Sequence, residues 1–333
     1  MFDNKNLLIT GGTGSFGKKF SIYILKKYPK IRKIIIFSRD ELKQYEIENN
    51  LPSIYKKKFR FFLGDIREKD RLIKAFKNVD FIVHAAALKQ VPKAEYNPSE
   101  YIKTNIIGSQ NVIDAAIENN VKITISLSTD KAAAPINLYG ATKLCADKLF
   151  TSSNNIIGKE KIKFATVRYG NVLGSRGSIL PFFLKQSKEE KFFTITDKRM
   201  TRFNITLEQA CKMVLWAFQN CQGGEIFVPK IPSFRIVDLA NSIDPKKKIK
   251  FIGIRPGEKL HEEMITQNDS YNTVDLGRDY YAILNSSDPK LLKKYSTKKN
   301  VRKVEKNFCY ESSGNPKFLS KSQLKKMISR FDK

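Results

Sequence analysis

Ile9-Thr10-Gly11-Gly12-Thr13-Gly14-Ser15-Phe16-Gly17 is the stretch whose reading decides the fold. The apolar run Leu7–Thr10 leads into it and a helical pattern follows. It contains Gly12-x-Gly14-x-x-Gly17. Glycines at such a turn let the backbone approach a pyrophosphate closely, and the N-terminus of the next helix favours its negative charge. A glycine motif alone is weak evidence; a strand before it and a helix after it supply the context of a dinucleotide-binding loop. Gly11, Thr13, Gly14, Ser15, Phe16 and Gly17 are therefore expected to hold a dinucleotide cofactor.

Outward from the loop, short β-branched runs alternate with helical periodicity. Strands are expected at Ile34–Ser38, Phe59–Asp65, Val79–Ala86, Ile123–Ser128 and Phe164–Tyr169. Helices are expected at Phe16–Tyr28, Asp40–Asn50, Lys69–Phe76, Pro98–Asn119 and Tyr139–Asn155. Alternation of this kind predicts an α/β fold, a Rossmann-type doubly wound parallel sheet. After about Asn171 the rhythm changes, with more Gly, Pro and Phe. A helix at Leu207–Gln219 and a strand at Glu225–Pro229 read as returning to the sheet. The expected division is a nucleotide-binding domain over 1–170, with returning segments at about 205–235, and a smaller C-terminal substrate-binding domain over 171–204 and 236–333. The Lys-rich stretch Lys290–Lys306 reads as a solvated surface segment.

Composition narrows the function. The chain has 333 residues and a formal charge of +28. Of its 61 basic residues 47 are Lys, scattered along the whole length, whereas phosphate readers concentrate Arg and aromatics on one face. The charge therefore reads as compositional bias, and no nucleic-acid partner is expected. No run approaches the ~20 apolar residues of a membrane span. The start lacks a basic segment ahead of an apolar one, so no signal peptide is read and a cytoplasmic protein is expected. Cysteines at 145, 211, 221 and 309 show no CxxC spacing, and with two histidines a metal site is not expected. His84, His261, Cys145 and Trp216 read as packing residues, His261 on a helix.

The second expected strand ends at Ser38-Arg39-Asp40, where the ribose-reading residue of a dinucleotide fold belongs. Arg39, with Ser38 beside it and Lys43 a turn later, suits the 2′-phosphate of NADP, because a guanidinium grips phosphate through two parallel hydrogen bonds. Asp40 either joins that site or caps the following helix. Asp65 and Ile66, at the tip of the third strand, are expected beside the adenine.

Tyr139-x-x-x-Lys143 puts a phenol and an ammonium one helical turn apart on one face. A cation so placed lowers a phenol's pKa. Ser128-Thr129-Asp130-Lys131 follows a strand. With the glycine loop, this set resembles the extended short-chain dehydrogenase/reductases. More narrowly, Ser-Thr-Asp-Lys-Ala with Asn137–Lys143 resembles the inverting UDP-N-acetylglucosamine 4,6-dehydratases of the pseudaminic acid route. The likeness extends over Ser38–Lys43, His84–Lys89, Arg168–Ser178, Met200–Phe203, Gly224–Ser233, Arg255–Glu262 and Tyr310–Pro316, and departs at Gln90, where the family carries His.

The resemblance implies a recycled, tightly bound NADP, UDP-N-acetylglucosamine as substrate and a homo-oligomer. It implies oxidation at C4, elimination of water across C5 and C6, and reduction at C6. Tyr139 would be the C4 base, its pKa depressed by Lys143 and the oxidised nicotinamide, with Thr129 on the same oxygen. Asp130 would protonate the leaving O6 and Lys131 would take the C5 proton. Burial shifts an acid and a lysine in the directions these roles need, and an ion pair shifts both the other way. Ala85, Ala86, Lys89, Asn105 and Val172 would touch the cofactor. Lys89, Asn171, Arg202, Arg255 and Glu258 would hold the UDP-sugar. Retaining and capsule-type relatives carry Met at the Tyr139 position, so Tyr139 favours inversion at C5. A retaining dehydratase, a UDP-sugar 4-epimerase and an NADP-sensing binding protein stand as alternatives; an epimerase has no need of Asp130-Lys131.

Overall fold

The computed structural model describes residues 1–158, 161–175 and 177–331; Arg176, within the Arg168–Ser178 motif, lies outside them. Six parallel strands form one side of a ten-stranded sheet, out to its edge at β3: β1 (Asn6–Thr10), β2 (Lys33–Ser38), β3 (Phe59–Leu63), β4 (Phe81–His84), β5 (Ile123–Thr129) and β6 (Lys163–Tyr169). Their spatial order is β3-β2-β1-β4-β5-β6, followed by Ile226–Pro229, parallel to β6. This is the doubly wound order, with the chain reversing direction across the sheet at β1. All five residues of β1 are buried, as a strand covered by helices on both faces requires.

The sheet does not end there. Tyr280–Ile283 pairs antiparallel with Ile226–Pro229, and Thr273–Asp275 and Arg302–Lys303 extend the edge beyond it. The sequence reading had put 236–333 wholly outside this sheet, and those strands correct it. They are two to four residues long, too short to show a period. Lys290–Lys306 is corrected too. Its helix Pro289–Ser296 buries Leu291 and Tyr295, and the Tyr295 hydroxyl donates to Glu225 Oε1 at 2.8 Å. A separate apolar cluster, with Phe183, Phe193, Phe234, Leu239 and Leu324, fills the other half of the molecule. Among the described residues three small sheets lie apart from the large one: Ser233–Arg235 with Thr201–Ile205 and Asn171–Val172, Phe192–Ile195 with Lys248–Phe251, and Glu263–Ile265 with Tyr310–Glu311.

Two features fix the helix Leu138–Ser152 against the strands. Its Asp147, fully buried, accepts from Arg168 Nη2 of β6 at 3.1 Å and from Ser128 Oγ of β5 at 2.8 Å. Arg168 also donates to the Met264 carbonyl at 3.0 Å. Gly140 lies so close to the turn after β5 that a Cβ there would collide with the Lys131 carbonyl.

The expected helix Pro98–Asn119 is interrupted. A π-helical segment, Ile102–Ile107, separates Pro98–Tyr101 from Gly108–Glu118. Wide turns of this kind re-aim side chains; here the segment carries Asn105.

Breaking a buried ion pair strands the remaining charge. Arg168→Leu is expected to lower the unfolding free energy by about 3–5 kcal/mol, measured by urea denaturation; a loss indistinguishable from zero contradicts the role given to this pair.

Candidate active site

The cavity lies at the C-terminal ends of β1, β4, β5 and β6, where a doubly wound sheet opens a crevice, and has a volume of about 830 Å³. At its floor Gly11 takes φ +64°, and a Cβ there would stand 2.8 Å from the Ala86 backbone. The glycine loop is thus packed against the end of β4 with its helix N-terminus facing the cavity. Every residue the sequence reading placed at cofactor or catalysis lines this cavity, except Asn105.

Asn105 is corrected. It is 1% exposed and its amide is spent inside the protein: Oδ1 accepts from Leu88 N at 2.9 Å, and Nδ2 donates to Leu88 O at 2.9 Å and Thr142 Oγ1 at 3.0 Å. It bolts the Leu88–Lys89 segment to the helix that carries Tyr139 and Lys143.

At the ribose end, Asp40 caps the helix Glu41–Asn49 by accepting from Lys43 N at 2.9 Å, and pairs with the Lys43 ammonium. Arg39 Nη1 stands 3.3 Å from Asp65 Oδ2, which Arg67 also grips. Burial pushes the Asp65 carboxyl up, and the Arg67 hydrogen bonds outweigh it and hold it below its ordinary value.

The catalytic end gathers Thr129, Asp130, Lys131, Tyr139 and Lys143. Thr129 Oγ1 donates to Asp130 Oδ1 at 3.0 Å. Lys131 Nζ donates to the same oxygen at 3.1 Å. Burial raises the Asp130 carboxyl above the usual range, and the Lys131 charge opposes without reversing it. Burial draws the Lys131 ammonium down, but Asp130 and Glu262 outweigh it and hold it above the ordinary lysine range. Burial pushes the Tyr139 phenol up to about 12, and the opposing influences are the Lys131 charge and a hydrogen bond with Thr129. The sequence reading had assigned that lowering influence to Lys143. Lys143 is itself buried and drawn below its usual value by desolvation, against the attraction of Asp147. Lys89 is likewise drawn down by burial.

Three expected substrate residues lie away from the cavity wall. Arg202 is buried and donates to the carbonyls of Thr201 at 2.7 Å and of Leu260 and Lys259 at 3.0 Å. Glu258 lies 3.7 Å from it, and Arg255 is exposed on the same loop. The diphosphate grip expected of Arg202 is therefore corrected: its donors latch the 259–260 backbone. Asn171 does line the cavity, and its buried Oδ1 has no hydrogen-bond partner among the described residues; nor have Asp130 Oδ2 and Glu262 Oε2. Glu262 was not singled out from sequence. It lies within a quoted motif, but nothing local pairs it with Lys131, which is 131 positions away.

The remaining singled-out residues are resolved locally. His84 is buried and kept neutral, its value pulled to about 3 by burial and by Lys143, with Thr10 Oγ1 and Ser109 Oγ at its two ring nitrogens. His261 lies in a loop, not a helix, and its Nδ1 meets Thr201 Oγ1 at 2.8 Å. Cys145, expected in the core, is exposed on the outer face of its helix. Trp216 is half-buried and stacks on Tyr280. Among the described residues, no helix is long and apolar enough to cross a membrane. Glu263, Cys309 and Glu311 bring ligand-type atoms within 4.8 Å of one another, away from the cavity.

Residues 7–284 match the family model described as polysaccharide biosynthesis protein. The chain is 52% identical to the inverting UDP-N-acetylglucosamine 4,6-dehydratase of Campylobacter jejuni serotype O:2, over 99% of this chain and 98% of that one. It is 40% identical to a protein of Rickettsia bellii named UDP-glucose 4-epimerase, over 100% and 97% of the two chains. Among solved structures it is similar to Pen from Bacillus thuringiensis, with a TM-score of 0.89 at 37% identity, covering 100% and 99% of the two chains.

Asp130 supplies a pH test. A carboxyl whose folded pKa is raised costs stability once pH climbs past its ordinary value of 3.8. Asp130→Asn is expected to unfold at higher urea than the parent at neutral pH, with the gain disappearing below about pH 4. A difference that does not vary with pH contradicts the burial argument.

Proposed function

The chain belongs to the polysaccharide-biosynthesis family and, within it, groups with the inverting UDP-N-acetylglucosamine 4,6-dehydratases of the extended short-chain dehydrogenase/reductases; from that premise we propose that it is such a dehydratase, with NADP as its recycled cofactor. The proposed product is UDP-2-acetamido-2,6-dideoxy-β-L-arabino-hexos-4-ulose, the first intermediate towards pseudaminic acid. The observation that carries this reading is the buried Asp130–Lys131 pair beside Thr129, Tyr139 and Lys143 in one cavity. Oxidation at C4 needs the last three alone; elimination needs a second acid and base.

The cavity suits a dinucleotide. The glycine loop lines its floor, where bare backbone suits close approach to a pyrophosphate, and Ser38, Arg39 and Lys43 line the ribose end. Arg39 and Lys43 hold carboxylates in partly exposed pairs, which exchange for a 2′-phosphate at small cost. Bound there, the nicotinamide supplies the hydride acceptor for C4 and the hydride donor for C6.

The chain's own residues do the proton work. Tyr139 takes the 4-hydroxyl proton, with Thr129 on the same oxygen. A phenol held up at about 12 is neutral at rest, so it needs added positive charge nearby before it acts as a base. A ketone at C4 then acidifies the C5 proton, which passes to Lys131. Asp130, whose carboxyl burial raises above its usual range, gives its proton to the departing O6. Tyr139, or a water beside it, returns a proton to C5 from the opposite face.

The epimerase reading is favoured by the Rickettsia relatives' name and opposed by the second acid–base pair. Incubation with UDP-N-acetylglucosamine in D2O, followed by NMR, is expected to show deuterium at C5 and the L-arabino configuration. A D-xylo 4-keto sugar as initial product contradicts inversion. Lys131→Met is expected to slow dehydration by about 10²-fold or more, leaving C4-oxidised sugar; unimpaired turnover removes Lys131 from the mechanism.

A further inference from the structure

Resting on the dehydratase reading, the surroundings of Lys131 raise a difficulty and supply its answer. A lysine acts as a base only as the free amine, yet Lys131 sits between two acidic side chains and is held as the ammonium. Its Nζ is 3.1 Å from Asp130 Oδ1 and 2.9 Å from Glu262 Oε1. Asp130 is the group that must itself deliver a proton to O6, so it is not free to take one from Lys131 first.

Burial raises the Glu262 carboxyl, and the Lys131 and Arg202 charges outweigh it and hold it below its ordinary range; it is by position that Glu262 suits the acceptor's role. The residue is 2% exposed and its Oε2 has no hydrogen-bond partner among the described residues. Its main chain is clamped on both sides by Ser312: Glu262 N donates to Ser312 Oγ at 2.9 Å, and Ser312 N donates to the Glu262 carbonyl at 2.8 Å. Arg202 Nε stands 3.6 Å from Glu262 Oε1, its other nitrogens already committed to backbone carbonyls. The other charged or titratable groups facing this cluster are Lys259, Glu258 and Tyr139. Lys259 is turned to the Ala133 carbonyl at 2.7 Å.

We propose that Glu262 is a positioning residue that holds Lys131 and accepts its proton, converting it into the C5 base. An N–H bond of Lys131 breaks and an O–H bond forms on Glu262. The freed nitrogen pair takes the C5 proton. The electrons of the C5–H bond become the second C5–C6 bond as the C6–O6 bond breaks. O6 leaves as water with the Asp130 proton. Lys131, an ammonium again, passes a proton to Asp130 across their contact, and Glu262 returns its own to Lys131. The three groups end as they began, and no co-reactant is required.

The test is Glu262→Gln, which keeps the shape and accepts no proton, with Glu262→Asp as the variant that keeps the acid. In the parent enzyme the proton moves internally, so the single-turnover dehydration rate is expected to be nearly flat from about pH 6 to about pH 9. In Glu262→Gln it is expected to fall roughly 10²-fold at neutral pH and to climb with pH, because solvent must now deprotonate Lys131. C4 oxidation, read in the same turnover as absorbance of the reduced cofactor, is expected to stay within about threefold of the parent. Glu262→Asp is expected to recover part of the rate with the flat profile. A Glu262→Gln rate equal to the parent's overturns the proposal, and so does a lowered rate with an unchanged flat profile. A parent enzyme that releases no dehydrated sugar instead refutes the dehydratase reading on which the proposal rests.

Discussion

One ammonium between two buried acidic side chains constrains the rest of this molecule. Lys131 shares the turn after β5 with Asp130, whereas Glu262 arrives from the C-terminal half of the chain. Enclosing such groups costs desolvation that their mutual attraction only partly offsets. The same energy displaces their proton affinities: the acid upward, the lysine upward, the distal carboxylate downward against its own burial. The cluster is therefore a poor source of stability, and its displaced proton affinities are of the kind found at functional sites.

The scaffold around it is correspondingly over-determined. Asp147 and Arg168 pin the Tyr139 helix to β5 and β6, with Ser128, the residue before Thr129, in the same network. Asn105, delivered by the π-helical segment, ties that helix to the Leu88–Lys89 segment. Arg202 does the equivalent across the site, fastening the 259–260 backbone just ahead of Glu262. Each of these side chains spends its hydrogen bonds on protein rather than ligand, which is how the reacting side chains come to hold fixed positions.

That distinction explains what was legible in the sequence. The strands at Ile34, Phe59, Phe81, Ile123 and Phe164 are continuous apolar or β-branched runs bounded by turns, and they lie within two residues of their expected bounds at most ends. The glycine loop, Tyr139–Lys143 and Thr129–Lys131 are local spacings, so they read directly. Asn105 and Arg202 have the residue types of ligand contacts, and only the fold reveals that their donors point to carbonyls. Glu262 depends on a pairing across half the chain, and no periodicity encodes such a pairing. The edge strands Thr273–Asp275 and Tyr280–Ile283 were missed because three or four residues are too few to show alternation. The charge of +28 is reassigned only in small part, to Arg39, Lys43, Lys131 and Lys143 at a cavity suited to polyanions.

The central claim is that the buried charges beside Tyr139 make this site one for elimination and not for C4 chemistry alone. Mass spectrometry of the nucleotide sugar after incubation with UDP-N-acetylglucosamine tests it most directly. The account predicts a product lighter than the substrate by one water; a product of unchanged mass, differing only in the configuration at C4, contradicts it.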